Sequence, residues 1–84
     1  MKIVETPIEN LFILESKVFE DSRGYFFEAF NKSQLEKKNI SYNFVQDNQS
    51  KSKYGVIRAL HYQLAPHSQA KLVRVIKGKV LDVV

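Results

Sequence analysis

Two histidines could carry proton chemistry, and they lie in different settings. His61 falls within a β-favouring segment, whereas His67 lies in a polar loop. Histidine has an ordinary pKa of about 6.5, so it can both accept and donate a proton near neutral pH. A metal site on a strand needs ligands two residues apart on one face, but Ala59 and Gln63 occupy those positions around His61. The spacing disfavours metal binding and leaves His61 as an acid–base group or a half-buried structural histidine.

Cationic and amide side chains could bind an anionic or sugar-like ligand. Lys71 opens an apolar segment and could stabilise negative charge developing on an oxygen, provided that water is excluded. A guanidinium fork matches phosphate oxygens, and the candidates for that role are Arg23, Arg58 and Arg74. Gln46 and Asn48 are two residues apart, hence on one face of an extended segment. Each of these residues could equally be an ordinary solvated side chain.

Short β-type segments separated by turns must position these residues. The pattern predicts strands over Leu11–Phe19, Tyr25–Phe30, Tyr42–Gln49, Val56–Leu64, Lys71–Ile76 and Lys79–Val84, with Lys77-Gly78 forming a tight hairpin between the last two. Ser33 and Glu36 fit a capping box, which predicts a short helix over 34–38. Several short strands at regular spacing predict a mainly β sandwich or barrel.

Length and composition limit the classes of protein that fit. A chain of 84 residues makes at most one small domain, and without cysteine it has no disulfide framework. The net charge is +4, but the densest basic spots, Lys51–Lys53 and Lys77–Lys79, read as solvated turns rather than a nucleic-acid surface. The sequence has no signal-peptide pattern and no apolar run that could span a bilayer. We therefore expect a cytoplasmic enzyme or binding domain.

Four segments, in order, resemble motifs of the dTDP-4-dehydrorhamnose 3,5-epimerase family. Residues 21–28 resemble its D-x-R-G-x-F-x-E stretch, and residues 44–50 resemble its F-V-Q-D-N-x-S stretch. Residues 55–63 resemble its G-V-[LI]-R-G-L-H-Y-Q core, and residues 69–73 match the Q-x-K-L-V that follows. The order and spacing agree from about Lys2 to Val84. The departures are Ala59, where the family usually has glycine, and Gln49, where histidine is common.

The resemblance implies a fold and an activity. The fold would be a cupin-like jelly roll, and residues 1–84 would form the N-terminal portion of this single domain. The protein would be a homodimer, and its activity would need no cofactor and no catalytic metal. The activity would be that of a racemase/epimerase-type isomerase in dTDP-L-rhamnose biosynthesis. Its substrate would be a dTDP-linked 4-keto-6-deoxyhexose, epimerised at C3 and C5. Neither nucleic acid nor a membrane would be a partner.

The resemblance also assigns roles to individual residues. His61 would be the catalytic base and Lys71 would support the enolate oxygen. The nucleotide sugar would be contacted by Arg23, Glu28, Gln46, Asn48 and Arg58. The family's chain is about twice as long as this one, so its tyrosine acid and the aspartate partner of its histidine would lie beyond residue 84. The apolar segment at 81–84 also favours truncation over an edge covered by another chain. We therefore expect the 84 residues alone to be inactive.

Two other interpretations fit the sequence. One is a related 5-epimerase, 3-epimerase or 3,4-ketoisomerase of nucleotide-activated sugars, which this part of the chain barely separates from the first. The other is a non-catalytic β domain that binds carbohydrate or nucleic acid. The six phenylalanines, four tyrosines and net charge of +4 are compatible with base stacking, although the aromatic cluster at 25–30 has apolar neighbours that suggest a core.

Overall fold

The structure is a computed structural model that describes all of residues 1–84. It divides into two compact units, Met1–Ser41 and Tyr42–Val84, each described here by itself. All regular secondary structure lies in the first unit, which has four strands in two antiparallel sheets and one short helix. The predicted mainly β class with one short helix is confirmed, and the arrangement is consistent with a cupin-like β fragment.

The first sheet joins strand β1, Lys2–Glu5, to strand β2, Phe12–Glu15. The strands are antiparallel, with Ile3 opposite Leu14 and Lys2 opposite Glu15. The Lys2 ammonium lies 3.6 Å from the Glu15 carboxylate across the pair. The connecting loop is closed by Thr6, whose hydroxyl lies within hydrogen-bond distance of the carbonyl oxygens of residues 8 and 11.

The second sheet joins strand β3, Val18–Asp21, to strand β4, Gly24–Phe27. The single strand predicted over 11–19 is therefore wrong, because the chain divides it between the two sheets. Ser16 lies at the break, and its hydroxyl donates to the carbonyl oxygen of Glu28 instead of extending a strand. Each half pairs with its own neighbour, since ladder hydrogen bonds rather than β propensity decide where a strand ends.

The turn between β3 and β4 depends on Gly24. Asp21 pairs with Gly24, so only Ser22 and Arg23 form the connection. Neither of these two residues has a positive φ, although two-residue hairpins favour turns that do. Gly24 has a φ of +133°, which L side chains rarely adopt. Gly24, which ends the predicted polar turn, therefore supplies the positive φ at the connection between β3 and β4.

Helix α1, Lys32–Glu36, begins two residues before the predicted range of 34–38. The predicted cap, Ser33, lies inside the helix, and the N-cap is Asn31. Asn31 has an extended backbone, and its side-chain oxygen accepts a hydrogen bond of 3.1 Å from the Gln34 amide. Asparagine and serine are similarly good N-caps, so the chain geometry before the helix decided between them.

The end of α1 forms the small core of the first unit. The amide of Ile40 donates to the carbonyl of Leu35 at 3.0 Å, and the amide of Asn39 donates to that of Glu36 at 3.0 Å. With Asn39 at a φ of 60°, this is the hydrogen-bond pattern of a Schellman motif. Its hydrophobic positions are Leu35 and Ile40, which are the two buried residues of the chain.

The second unit contains turns but no strand. The strands predicted over 42–49, 56–64, 71–76 and 79–84, and the hairpin at 77–78, are absent from this structure. All residues of this unit are exposed. A β-strand requires a hydrogen-bonded neighbour and a surface against which to bury one face. Neither is present within residues 42–84, so their apolar alternation alone does not produce a sheet.

Candidate functional site

The two predicted catalytic residues, His61 and Lys71, both lie in the second unit. Both are exposed, and neither side chain forms a hydrogen bond or ion pair within the chain. The imidazole nitrogens and the ammonium group are therefore open to an external ligand. The described contacts do not join the two residues to each other.

Arg23 is the most tightly held of the predicted ligand-binding residues. Its Nη2 lies 2.6 Å from Asp21 Oδ2, and its Nε lies 3.2 Å from the same oxygen and 3.3 Å from Oδ1. The backbone amide of Arg23 also donates to Asp21 Oδ1 at 2.8 Å. One carboxylate thus closes the turn between β3 and β4 and fixes the guanidinium that follows.

This pairing changes the electrostatics of both groups. The side-chain hydrogen bond from Arg23, followed by the bond from its backbone amide, lowers the pKa of Asp21 below its ordinary value of 3.8. The same side-chain contact raises the pKa of Arg23 above its ordinary range. Because both side chains are exposed, at 88% for Arg23 and 50% for Asp21, solvent screens the pair and its value lies in geometry rather than in stability.

Glu28 lies just beyond β4 and is held from two directions. Its carbonyl oxygen accepts from the Ser16 hydroxyl. Its carboxylate accepts a long hydrogen bond of 3.4 Å from the Gln34 amide group on α1. The second, weaker contact leaves the carboxylate able to accept further hydrogen bonds, as a sugar-hydroxyl acceptor must.

Gln46 and Asn48 contact each other, although the strand predicted to carry them is absent. Gln46 Nε2 donates to Asn48 Oδ1 at 3.2 Å, so the two side-chain amides lie next to each other. The contact uses one donor and one acceptor and leaves the Gln46 oxygen and the Asn48 nitrogen for other partners. Such a pair can both donate to and accept from a polar ligand.

Arg58 is anchored by the preceding turn. Its Nε donates to the Ser52 hydroxyl at 2.8 Å, and its Nη2 lies 3.5 Å from the carbonyl of Lys51. Gly55 closes this turn with a φ of 81°, and the amide of Val56 donates to the carbonyl of Lys53 at 3.3 Å. The Arg58 guanidinium is therefore held beside the turn that precedes it.

The structure groups the predicted residues only in part. Arg23 and Glu28 lie in the first unit, and the other five lie in the second. A shallow open groove of about 280 Å³ in the first unit is lined by none of them, its residues being Met1, Ile3, Gln34, Lys37 and Lys38. No cluster of three potential metal-ligating side chains occurs, and the expectation of a metal-free site stays a prediction.

Sequence reasoning gave no role to the two residues that anchor the arginines, Asp21 and Ser52. The signal was present for Asp21, because an acidic residue two positions before an arginine in a turn can reach both its backbone amide and its side chain. Ser52 lies six residues before Arg58, and nothing in their spacing indicates a contact.

Comparison with known proteins agrees with the motifs. The family model described as dTDP-4-dehydrorhamnose 3,5-epimerase matches residues 5–84, and the chain belongs to this family. The matched range includes every predicted site residue. No solved structure matches the chain.

Curated relatives extend the comparison across bacteria and archaea. A Shigella flexneri protein named dTDP-4-dehydrorhamnose 3,5-epimerase is 50% identical over 84 residues, covering 99% of this chain and 46% of its own length. The Escherichia coli protein of the same name is 46% identical, covering 99% of this chain and 45% of its own length. The Methanothermobacter thermautotrophicus protein of that name is 43% identical, covering 98% of this chain and 44% of its own length. The chain spans less than half the length of these relatives. The single helix, α1, is neither long nor apolar enough to cross a membrane.

Proposed function

We propose that the intact protein epimerises a dTDP-linked 4-keto-6-deoxyhexose at C3 and C5. The observation that carries the proposal is the family match, which covers residues 5–84. That range contains the histidine and the lysine to which the family resemblance gives chemical roles. The product would serve dTDP-L-rhamnose synthesis.

The chemistry required of His61 is proton abstraction next to a ketone. A hydrogen on a carbon beside the C4 carbonyl is acidic because its removal gives an enolate. The neutral imidazole of His61 takes that proton, and the electron pair moves onto the C4 oxygen. A histidine is suited to this step because its ordinary pKa lies near neutral pH, and its ring forms no internal hydrogen bond that a substrate would have to displace.

The chemistry required of Lys71 is stabilisation of the enolate oxygen. Its ammonium group donates to the oxygen as negative charge develops there, an effect that grows when water is excluded. Inversion is completed when an acid delivers a proton to the opposite face of the carbon. We propose that this acid belongs to residues other than 1–84.

Recognition of the nucleotide sugar falls to side chains that the chain already orients. Arg23 and Arg58 are each anchored through Nε, by Asp21 and Ser52 respectively. Terminal N–H groups of both remain for phosphate oxygens. Glu28 and the pair formed by Gln46 and Asn48 supply acceptors and donors for hydroxyl and base groups.

Further features of the intact protein belong to the same proposal. Residues 1–84 would form part of a single cupin-like domain, in which the exposed apolar segments of the second unit are covered. The protein would act as a cytoplasmic homodimer and need no cofactor, because enolate chemistry beside an existing ketone requires only acids and bases.

Substitution of His61 in the intact protein tests the proposal. His61→Ala should lower kcat by about 10²- to 10⁴-fold and leave nucleotide-sugar affinity nearly unchanged. His67→Ala is the matched control, because it removes the chain's other histidine from an exposed turn and should leave turnover intact. Near wild-type turnover in His61→Ala would refute the role of this residue.

The positions of reaction are read by NMR in deuterated water. The proposal predicts deuterium incorporation and inversion at both C3 and C5. Exchange at one carbon alone would identify a 3-epimerase or a 5-epimerase, and migration of the ketone would identify a ketoisomerase. Lys71→Ala should slow exchange at both carbons by about 10²- to 10³-fold, whereas Lys77→Ala should not.

A further inference from the structure

The contact between Asp21 and Arg23 is specific in geometry. The two residues flank Ser22 in the two-residue connection between β3 and β4. The carboxylate receives the Nε and Nη2 edge of the guanidinium, with Nη2 at 2.6 Å from Oδ2 and Nε at 3.2 Å from it. Oδ1 also accepts from the Arg23 backbone amide at 2.8 Å. The side chain is thus fixed to the backbone of its own turn.

This arrangement leaves most of the guanidinium available. Arginine has five N–H donors, one on Nε and two on each terminal nitrogen. The carboxylate occupies the donor on Nε and one on Nη2, so three remain, and two of these lie side by side on the edge formed by Nη1 and Nη2. Two adjacent N–H groups on one edge match two oxygens of a phosphate.

We propose that Asp21 is a positioning residue that holds Arg23 ready to bind the diphosphate of a nucleotide sugar, an inference that rests on the proposed function. The Arg23 side chain is 88% exposed, so no packing restrains it. An unrestrained arginine loses rotamer freedom when it binds a ligand. Asp21 imposes that order before the ligand arrives and thereby lowers the entropic cost of binding.

The negative charge of Asp21 opposes the binding of an anionic ligand, whereas its hold on Arg23 favours that binding. Its carboxylate repels a diphosphate, and removing it would strengthen binding if charge were the dominant factor. Both side chains are exposed, so water and salt screen that repulsion. The contacts of the carboxylate with Nε and Nη2, at 2.6 to 3.3 Å, are short enough to orient the guanidinium despite this screening, so we expect positioning to dominate. The two effects predict opposite signs for the same substitution.

The test measures binding of thymidine 5′-diphosphate and of thymidine to the intact protein by calorimetry. Asp21→Asn retains Oδ1 for the backbone amide of Arg23 but places an N–H donor where Oδ2 accepts from Nη2 and Nε. It therefore breaks the short contact with Nη2, leaves only the long contact of 3.3 Å from Nε to Oδ1, and keeps the turn. It should weaken diphosphate binding by about three- to tenfold and leave thymidine binding unchanged. Ser22→Ala, in the same turn, should change neither.

A double-substitution cycle separates positioning from a structural role. In an Arg23→Ala background, Asp21→Asn should cause no further loss of diphosphate affinity, because no guanidinium remains to be oriented. In steady-state kinetics Asp21→Asn should raise KM with kcat unchanged. Equal losses in both backgrounds, or equal losses for thymidine and its diphosphate, would overturn the inference.

Other outcomes are equally decisive. Tighter diphosphate binding by Asp21→Asn would show that charge repulsion dominates, and would overturn the positioning role while leaving the proposed function intact. A wild-type protein that binds neither thymidine 5′-diphosphate nor its sugar conjugate would overturn the proposed function, and the inference with it.

Discussion

Gly24 sets the geometry of the turn that carries Arg23, so Gly24→Ala should unfold the hairpin formed by β3 and β4. A Cβ added at this position meets no atom within 4 Å, so no steric clash contributes. The cost comes from a φ of +133°, a region that L residues occupy at a cost of about 1–3 kcal/mol. Two-stranded hairpins are marginally stable. A loss of about 2 kcal/mol lowers the ratio of paired to unpaired chains roughly 30-fold.

The hairpin population can be followed by NMR. Cross-strand contacts between the paired residues Phe19 and Phe26 should be lost in Gly24→Ala. Replacement of Gly24 by D-alanine through chemical synthesis should retain them, since a D residue favours the positive φ that glycine adopts here. Ser22→Ala changes a neighbouring residue whose φ is not positive and should also retain them.

The comparison of the two alanines is the decisive result. Equal loss with L-alanine and D-alanine would mean that the Cβ itself, and not the sign of φ, destabilises the turn. Hairpin pairing that survives in the L-alanine variant would show that the backbone adapts at little cost. Either result would refute the assignment of Gly24 as the residue that shapes the Arg23 turn.

Three further predictions concern the helix end, the carboxylate and the isolated chain. Asn39→Val should weaken the end of α1 by about 1–2 kcal/mol because of the positive φ, whereas Asn39→Gly should preserve it, as amide exchange at Ile40 would report. Because Arg23 holds the pKa of Asp21 below 3.8, the contact between the two side chains is complete above that pH and is lost as pH falls through the lowered pKa. An NMR titration of the Arg23 side chain should follow this loss in the wild-type protein and should show none in Asp21→Asn. The 84 residues alone should exchange no substrate hydrogen with deuterated water, since His61 and Lys71 are exposed to bulk solvent and screened charges stabilise an enolate poorly; exchange at an enzymatic rate would contradict this.

Local patterns predicted the features whose determinants lie within a few residues of each other. The polar turn ending at Gly24 is present, because a positive φ is a property of one residue. Gln46 and Asn48 contact each other because two long amide side chains only two residues apart can reach each other. The helix was placed within two residues, and its cap was misassigned because Asn31 and Ser33 are chemically similar candidates.

Features that depend on distant partners were not predictable in this way. The β-favouring run breaks at Ser16 because β2 and β3 pair with different neighbours, in two separate sheets. The same reason explains the second unit, where apolar alternation predicted strands but residues 42–84 supply no ladder partners. A strand is stabilised by its neighbours, so its own sequence shows that the segment can pair but does not show which segment it pairs with.

The sequence by itself determined the family, the mainly β class, and the positions at which His61, Lys71 and Arg23 occur. These follow from residue types and from spacing along one chain. The tertiary structure alone decided that Ser52 holds Arg58 and that Leu35 and Ile40 form the core. The reason is physical: side-chain hydrogen bonds and burial depend on distances in space, which the turn at Gly55 and the end of α1 set here.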